Sequence, residues 1–228
     1  MTTLVRSARN DRKALHKAGE EAARFAIQNA CRAAYRDVAP ESVAIEKDAM
    51  GKPYGRISGK LSPVAVSISH SFPFAMAIAS TTDGITLGTD IERVRDFPAS
   101  TWKAFLTSTE QGIIADVSAR NRAYLRTLCW SLKESVLKAI GIGFRLHPRR
   151  VDVSQVLIEK GASHISIGID DVMYKVRIWS SRIGSGYVAT AVAFPVADTY
   201  YVNLNPKREN ILHGNSRYSG RSYIGNAS

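Results

Sequence analysis

Four stretches of the chain carry side chains that can do chemistry. In Ile85–Glu92, Ile85, Leu87, Thr89 and Ile91 alternate with Thr86, Gly88, Asp90 and Glu92, the period of two of a β-strand. Asp90 and Glu92 then project from one face, about 6.6 Å apart. Like charges that close repel unless a cation sits between them, and carboxylate oxygens suit Mg²⁺, which also takes substrate phosphates. The same spacing fits a solvated strand end whose acids pair with Arg93 and Arg95. On the helical wheel through Cys129–Gly141 and the turn before it, Leu125, Leu128, Cys129, Leu132, Val136, Ala139 and Ile140 form an apolar stripe, while Trp130, Lys133, Glu134, Leu137 and Lys138 fall on another side. A Trp among charges suits a cleft wall, with lysines for phosphate and Glu134 for a metal or a proton. It also fits a Glu134–Lys138 helix pair beside a Trp in a crevice. Ser67-Ile68-Ser69-His70-Ser71 offers hydroxyls and an imidazole to a phosphate, although a lone His is more often structural. Gly51-Lys52-Pro53-Tyr54 places a Lys on a stiff turn, which a plain surface turn also explains.

Elements must position these groups. Leu15, Ala18, Ala22, Phe25, Ala26, Ala30 and Ala33 recur at helical steps, so residues 11–37 read as one helix with Asp11 as its cap. Residues 64–69, 74–80 and 84–92 read as strands, 100–118 and 121–141 as helices, and 151–194 as a return to strands, including VDVSQVLIE. Residues 67–80 laid over 181–194 agree at five of fourteen positions, at an offset of 114 in a chain of 228. Chance similarity of apolar strands accounts for this, and so does duplication of an α+β half with a cleft between the copies. The expected division is 1–100, 101–204 and a basic tail, 205–228, with a net charge of +3.

Composition narrows the classes. Hydrophobic residues are 45 % and charged residues 22 %, ordinary globular values. Two cysteines, Cys31 and Cys129, make no disulfide framework or zinc pattern, which points to a reducing, cytoplasmic setting. No apolar leader opens the chain and no stretch is long enough for a membrane span. The net charge of +11 attracts polyanions. A nucleic-acid-binding module is one reading, without any recognisable helix-turn-helix, zinc-finger or RNA-binding aromatic pattern. A Mg²⁺ phosphodiesterase built on the same carboxylates is another.

Taken in order, Gly-Lys-Pro, Ser-Ile-Ser-His-Ser, Gly-Thr-Asp-Ile-Glu and Trp-Ser-Leu-Lys-Glu-Ser-Val-Leu-Lys resemble the Sfp-type 4′-phosphopantetheinyl transferases. That family carries G-x-D-x-E and W-x-x-K-E-x-x-x-K about forty residues apart. Here Glu92 and Trp130 are 38 apart. The resemblance implies an α+β fold of two similar α/β subdomains related by pseudo-twofold symmetry, with the active site at their interface. It implies transfer of 4′-phosphopantetheine from coenzyme A to a serine hydroxyl of an apo carrier protein, releasing adenosine 3′,5′-bisphosphate. By match, Asp90, Glu92 and Glu134 would hold Mg²⁺, with Mn²⁺ a substitute. Glu134 and Lys138 would be catalytic, and Lys52, Ser69, His70, Lys133 and Lys138 would bind coenzyme A. The carrier could be an acyl, peptidyl or polyketide carrier, serving fatty-acid, polyketide or nonribosomal-peptide synthesis. Phe97, Trp102, Lys103, Phe105 and Leu106 match the region that docks it. No specific nucleic acid is implied, and a monomer suffices because the duplicated chain contains its own cleft.

Overall fold

The computed structural model describes residues 1–196, apart from 35–36, 59–62, 143–144, 160–162, 171 and 185. The expected basic tail lies outside the described residues. Two five-stranded antiparallel sheets make up the fold. The first half runs β1 (Thr2–Arg6), α1 (Arg12–Ala33), β2 (Val43–Lys47), β3 (Pro53–Ile57), β4 (Val64–Ser71) and β5 (Phe74–Ser80). The second runs β6 (Ile85–Arg93), α2 (Ala99–Phe105), α3 (Ser108–Ala115), α4 (Ala119–Ile140), β7 (Val151–Asp152), α5 (Ser154–Ile158), β8 (His164–Ile169), β9 (Val172–Ile183) and β10 (Tyr187–Pro195). Strand orders are β1-β5-β4-β3-β2 and β6-β10-β9-β8-β7. The two orders superpose strand for strand, with β6 in the place of β1. The alignment of 67–80 with 181–194 sets β5 on β10, as duplication requires.

β6 belongs to the second sheet, so the change of sheet comes ahead of residue 100, where the division was expected. The carboxylate strand pairs with β10, Asp90 opposite Thr190 and Glu92 opposite Val188. It opens the second half, and the change of sheet falls between Ser80 and Ile85. Asp90, Glu92 and Glu134 therefore all come from that half.

α1 starts where Asp11 accepts a hydrogen bond from Ala14 N at 2.8 Å. Its inner face is Ala18, Ala22, Ala23, Ala26, Ile27 and Ala30, whereas Phe25 is exposed. The expected helix over 100–118 is broken at Leu106–Thr107. There Thr107 and Glu110 form a capping box that starts α3. VDVSQVLIE is not one strand: Asp152 accepts from Ser154 N at 2.8 Å and a helical turn follows. α4 stops at Gly141, whose φ of 78° is left-handed.

β6 lies at an edge of its sheet, and β4 of the other half seals that edge with side chains. Thr89 N donates to Ser67 Oγ at 3.0 Å and Ile91 N to Ser69 Oγ at 3.4 Å. Alongside, Met76, Ile78, Leu87, Ile91, Ala189 and Ala191 form an apolar core shared by β5, β6 and β10. Tyr187 stacks edge-on to Phe74, with ring centroids 5.0 Å apart, and its hydroxyl donates to Phe72 O. Cys31 and Cys129 are free and buried, and burial pushes the Cys129 thiol well up, so it stays protonated. No helix among the described residues is long and apolar enough to cross a membrane.

Candidate active site

Gly88 lets α4 lie directly on β6. A Cβ at Gly88 would stand 1.7 Å from Ser135 O and 2.6 Å from Ala139 N, so only glycine permits this approach. The helix is buried on almost every side from Thr127 to Ile140. Trp130, Glu134 and Lys138, one turn apart, are the half-buried exceptions.

That stripe faces the strand acids. Lys138 Nζ donates to Asp90 Oδ1 at 2.7 Å and to Ser69 Oγ at 3.2 Å, and Ser69 Oγ donates to Asp90 Oδ1 at 2.8 Å. Trp130 Nε1 donates to Glu92 Oε1 at 3.2 Å. Asp90 Oδ2 and Glu134 Oε1 are buried without a hydrogen-bond partner. Burial pushes the Glu134 carboxyl up to about 7, against the pull of Lys138 and reinforced by Asp90 and Glu92. Burial and then Asp90 raise Glu92 as well, opposed by the Trp130 hydrogen bond, Arg95 and Lys138. Three carboxyls thus share one field.

Among the described residues, no three His, Cys, Asp or Glu groups stand together at metal-holding distance. The acids are gathered but not closed into a ready-made triad, because Lys138 and Ser69 occupy Asp90 Oδ1 and Trp130 holds Glu92. The two buried, unpartnered oxygens on Asp90 and Glu134 remain, and hard acceptors left open in this way fit a divalent cation.

The expected phosphate-binding residues are placed unequally. Lys138 lies among the carboxylates. Lys133, one residue from Glu134, corrects the helical-wheel reading. It is fully buried and pairs with equally buried Glu110 at 2.8 Å, and its ammonium also donates to Pro148 O at 3.1 Å and Val151 O at 2.6 Å. Its donors are spent inside the protein, so it presents no charge to the cleft. Ser69 is also buried, and its hydroxyl donates to Asp90. His70, on the opposite face of β4, is exposed. Lys52 reaches across to the second half and donates to Thr86 Oγ1 and, at 2.6 Å, to Ala139 O. Burial brings its ammonium down to about 8.

Beside Glu92 opens a cavity of about 280 Å³, lined by Arg93, Arg95, Phe97, Trp102, Phe105 and Trp130 among others. Of the expected docking anchors, Trp102, Phe105 and Leu106 are buried in the core, and Phe97 and Lys103 are exposed. Sequence reasoning missed Thr190 and Glu110, which respectively pack behind Asp90 and neutralise Lys133, and it read Ser67 as a phosphate donor where it seals β6. The alternation of Ser67 with Ser69 was the one available signal for the seal.

Comparison with known proteins agrees with this geometry. No curated protein matches the chain. Residues 86–192, which run from β6 into β10, match the model of the 4′-phosphopantetheinyl transferase superfamily. That span contains both the strand acids and the helix that faces them, and over it the chain is similar to the 4′-phosphopantetheinyl transferase superfamily.

Proposed function

We propose that the protein is an Sfp-type, Mg²⁺-dependent transferase that moves 4′-phosphopantetheine from coenzyme A to a carrier-protein serine. The observation that carries this reading is the pair of open, buried oxygens, Asp90 Oδ2 and Glu134 Oε1, beside the Lys138 ammonium in a span similar to this superfamily. Asp90, Glu92 and Glu134 would hold the cation, which when bound neutralises charge building on the phosphates. Glu134, poised near neutrality by burial, accepts the serine proton as the hydroxyl oxygen bonds to phosphorus. The bond from that phosphorus to the adenosine 5′-phosphate breaks, and adenosine 3′,5′-bisphosphate departs. Lys138, with Lys52 further out, supplies positive charge to coenzyme A, and charge-assisted contacts of this kind are about twice as strong as neutral ones; exposed His70 offers a ring nitrogen for a hydrogen bond. Ser69 orients Asp90. Alignment and charge neutralisation do most of the work.

The net charge of +11 suits an acidic carrier, because opposite potentials speed encounter. The test is incubation with coenzyme A, Mg²⁺ and a set of apo acyl, peptidyl and polyketide carriers, read by intact-protein mass spectrometry. The expected result is a phosphopantetheine adduct on the carrier serine that chelation abolishes. Absence of the adduct from every carrier overturns the reading.

A further inference from the structure

Behind the carboxylates lies a buried group of hydroxyls. Thr190 is the cross-strand neighbour of Asp90 and is fully buried. Its Oγ1 lies 2.8 Å from Ser131 Oγ and 2.7 Å from Ser135 Oγ, hydroxyls one turn apart on α4. Ser135 Oγ also reaches Thr190 O at 3.4 Å, and Thr89 Oγ1 donates to the same carbonyl at 2.7 Å. All four hydroxyl residues are completely shielded from solvent. Flanking them, Val188, Val192, Leu132 and Val136 belong to the apolar core that holds α4 on the sheet. Apolar contact is non-directional and lets a helix roll or slide, whereas paired hydroxyls fix rotation and height together. At the Gly88 contact the clearance is that of a missing Cβ, so a small roll of α4 moves Glu134 and Lys138 relative to Asp90.

We infer that Thr190 is a positioning residue: its hydroxyl clamps Ser131 and Ser135 and so fixes Glu134 and Lys138 against Asp90. In Thr190→Val the shape is kept and the hydroxyl is lost. Ser131 and Ser135 then turn to carbonyls of their own helix, which bends helices slightly, and the stripe shifts as a unit.

Only the kinetic arm of the test rests on the transfer reading. Thr190→Val is expected to lower kcat about tenfold or more while KM for coenzyme A stays within about twofold, since misplacement of catalytic groups acts on the chemical step. It is also expected to move the Trp130 indole N–H resonance, because Trp130 rides on the same helix and bonds Glu92. Thr190→Ser should restore both. A kcat in Thr190→Val within about twofold of wild type, or a Thr190→Ser variant as slow as the valine one, overturns the inference. If wild type transfers nothing to any carrier, the transfer reading falls. The indole signal then decides alone: an unmoved resonance in Thr190→Val overturns the clamp. If Thr190→Val does not fold, Ser131→Ala with Ser135→Ala puts the same questions from the helix side.

Discussion

Helices α1 and α4 are both twenty-two residues long and occupy matching places on matching sheets. What they bury differs. α1 meets its sheet with alanines, Gly19, Ile27 and Cys31, and no polar side chain on that face is buried. α4 buries Thr127, Ser131, Lys133 and Ser135 among its apolar residues and leaves Trp130, Glu134 and Lys138 half open. The strands beneath differ likewise: β1 reads Thr-Thr-Leu-Val-Arg, β6 carries Asp90 and Glu92. One architecture thus serves twice, once as an apolar brace and once as a polar site. Buried polar groups specify one geometry when all are satisfied and cost stability when they are not.

The sharpest way to break this contrast is to remove the acids. Asp90→Ala and Glu134→Gln should each lower transfer about a thousandfold or more, with melting temperatures close to wild type by calorimetry. Ile27→Ala in the brace should do the opposite, costing about 2–5 kcal/mol of stability with turnover per folded molecule unchanged. Comparable activity losses on both sides would erase the distinction. Next comes the buried pair: Lys133→Met strands Glu110 and should cost about 3–5 kcal/mol in denaturant unfolding, while coenzyme A affinity of the folded fraction, by titration calorimetry, stays as in wild type. A loss of affinity without a loss of stability would return Lys133 to the cleft. The two close helix–sheet approaches give a smaller pair of effects. Gly88→Ala drives a Cβ into backbone and should cost about 3 kcal/mol. Gly19→Ala meets one side-chain atom, the γ2 methyl of Ile68, 3.0 Å away, and the better helix propensity offsets part of that contact, so it should cost about 1 kcal/mol.

The smallest effect is in pH. Glu134 in the folded protein keeps its proton up to about 7, above its ordinary 4.5. Between those values the native state binds more protons than the unfolded chain, so this carboxyl's contribution makes stability fall as pH rises through that window. Transfer should rise over the upper part of it, as the carboxylate forms. Glu134→Gln should flatten the slope of stability in pH-dependent melting, and an unchanged slope would place the shifted carboxyl elsewhere.

Much of the site was legible because it is local. Alternation over Ile85–Glu92 gave the face shared by Asp90 and Glu92, and four-residue steps gave the Trp130–Glu134–Lys138 stripe. What the pattern could not show was tertiary. Lys133 falls on the same wheel sector as Glu134, and only the arrival of Glu110 from α3 turns that side into core. β1, β2 and β3 were not read as strands: five-residue strands show too little alternation, and Pro53 heads one of them. The break at Leu106–Thr107 was readable in Thr107-x-x-Glu110. The change of sheet inside the Ser80–Ile85 link was not legible, because it leaves no compositional trace.

The seal along β6 has a mechanical consequence. Within each sheet, neighbouring strands are joined by continuous backbone ladders; across the seam the fastening is by side chains, and of these Ser69 grips Asp90 as well as Ile91 N. Any parting of the lobes at that seam pulls on Ser69 and is transmitted to Asp90 before either sheet frays. The carboxylate proposed to hold the cation doubles as a strain gauge for the joint on which it sits.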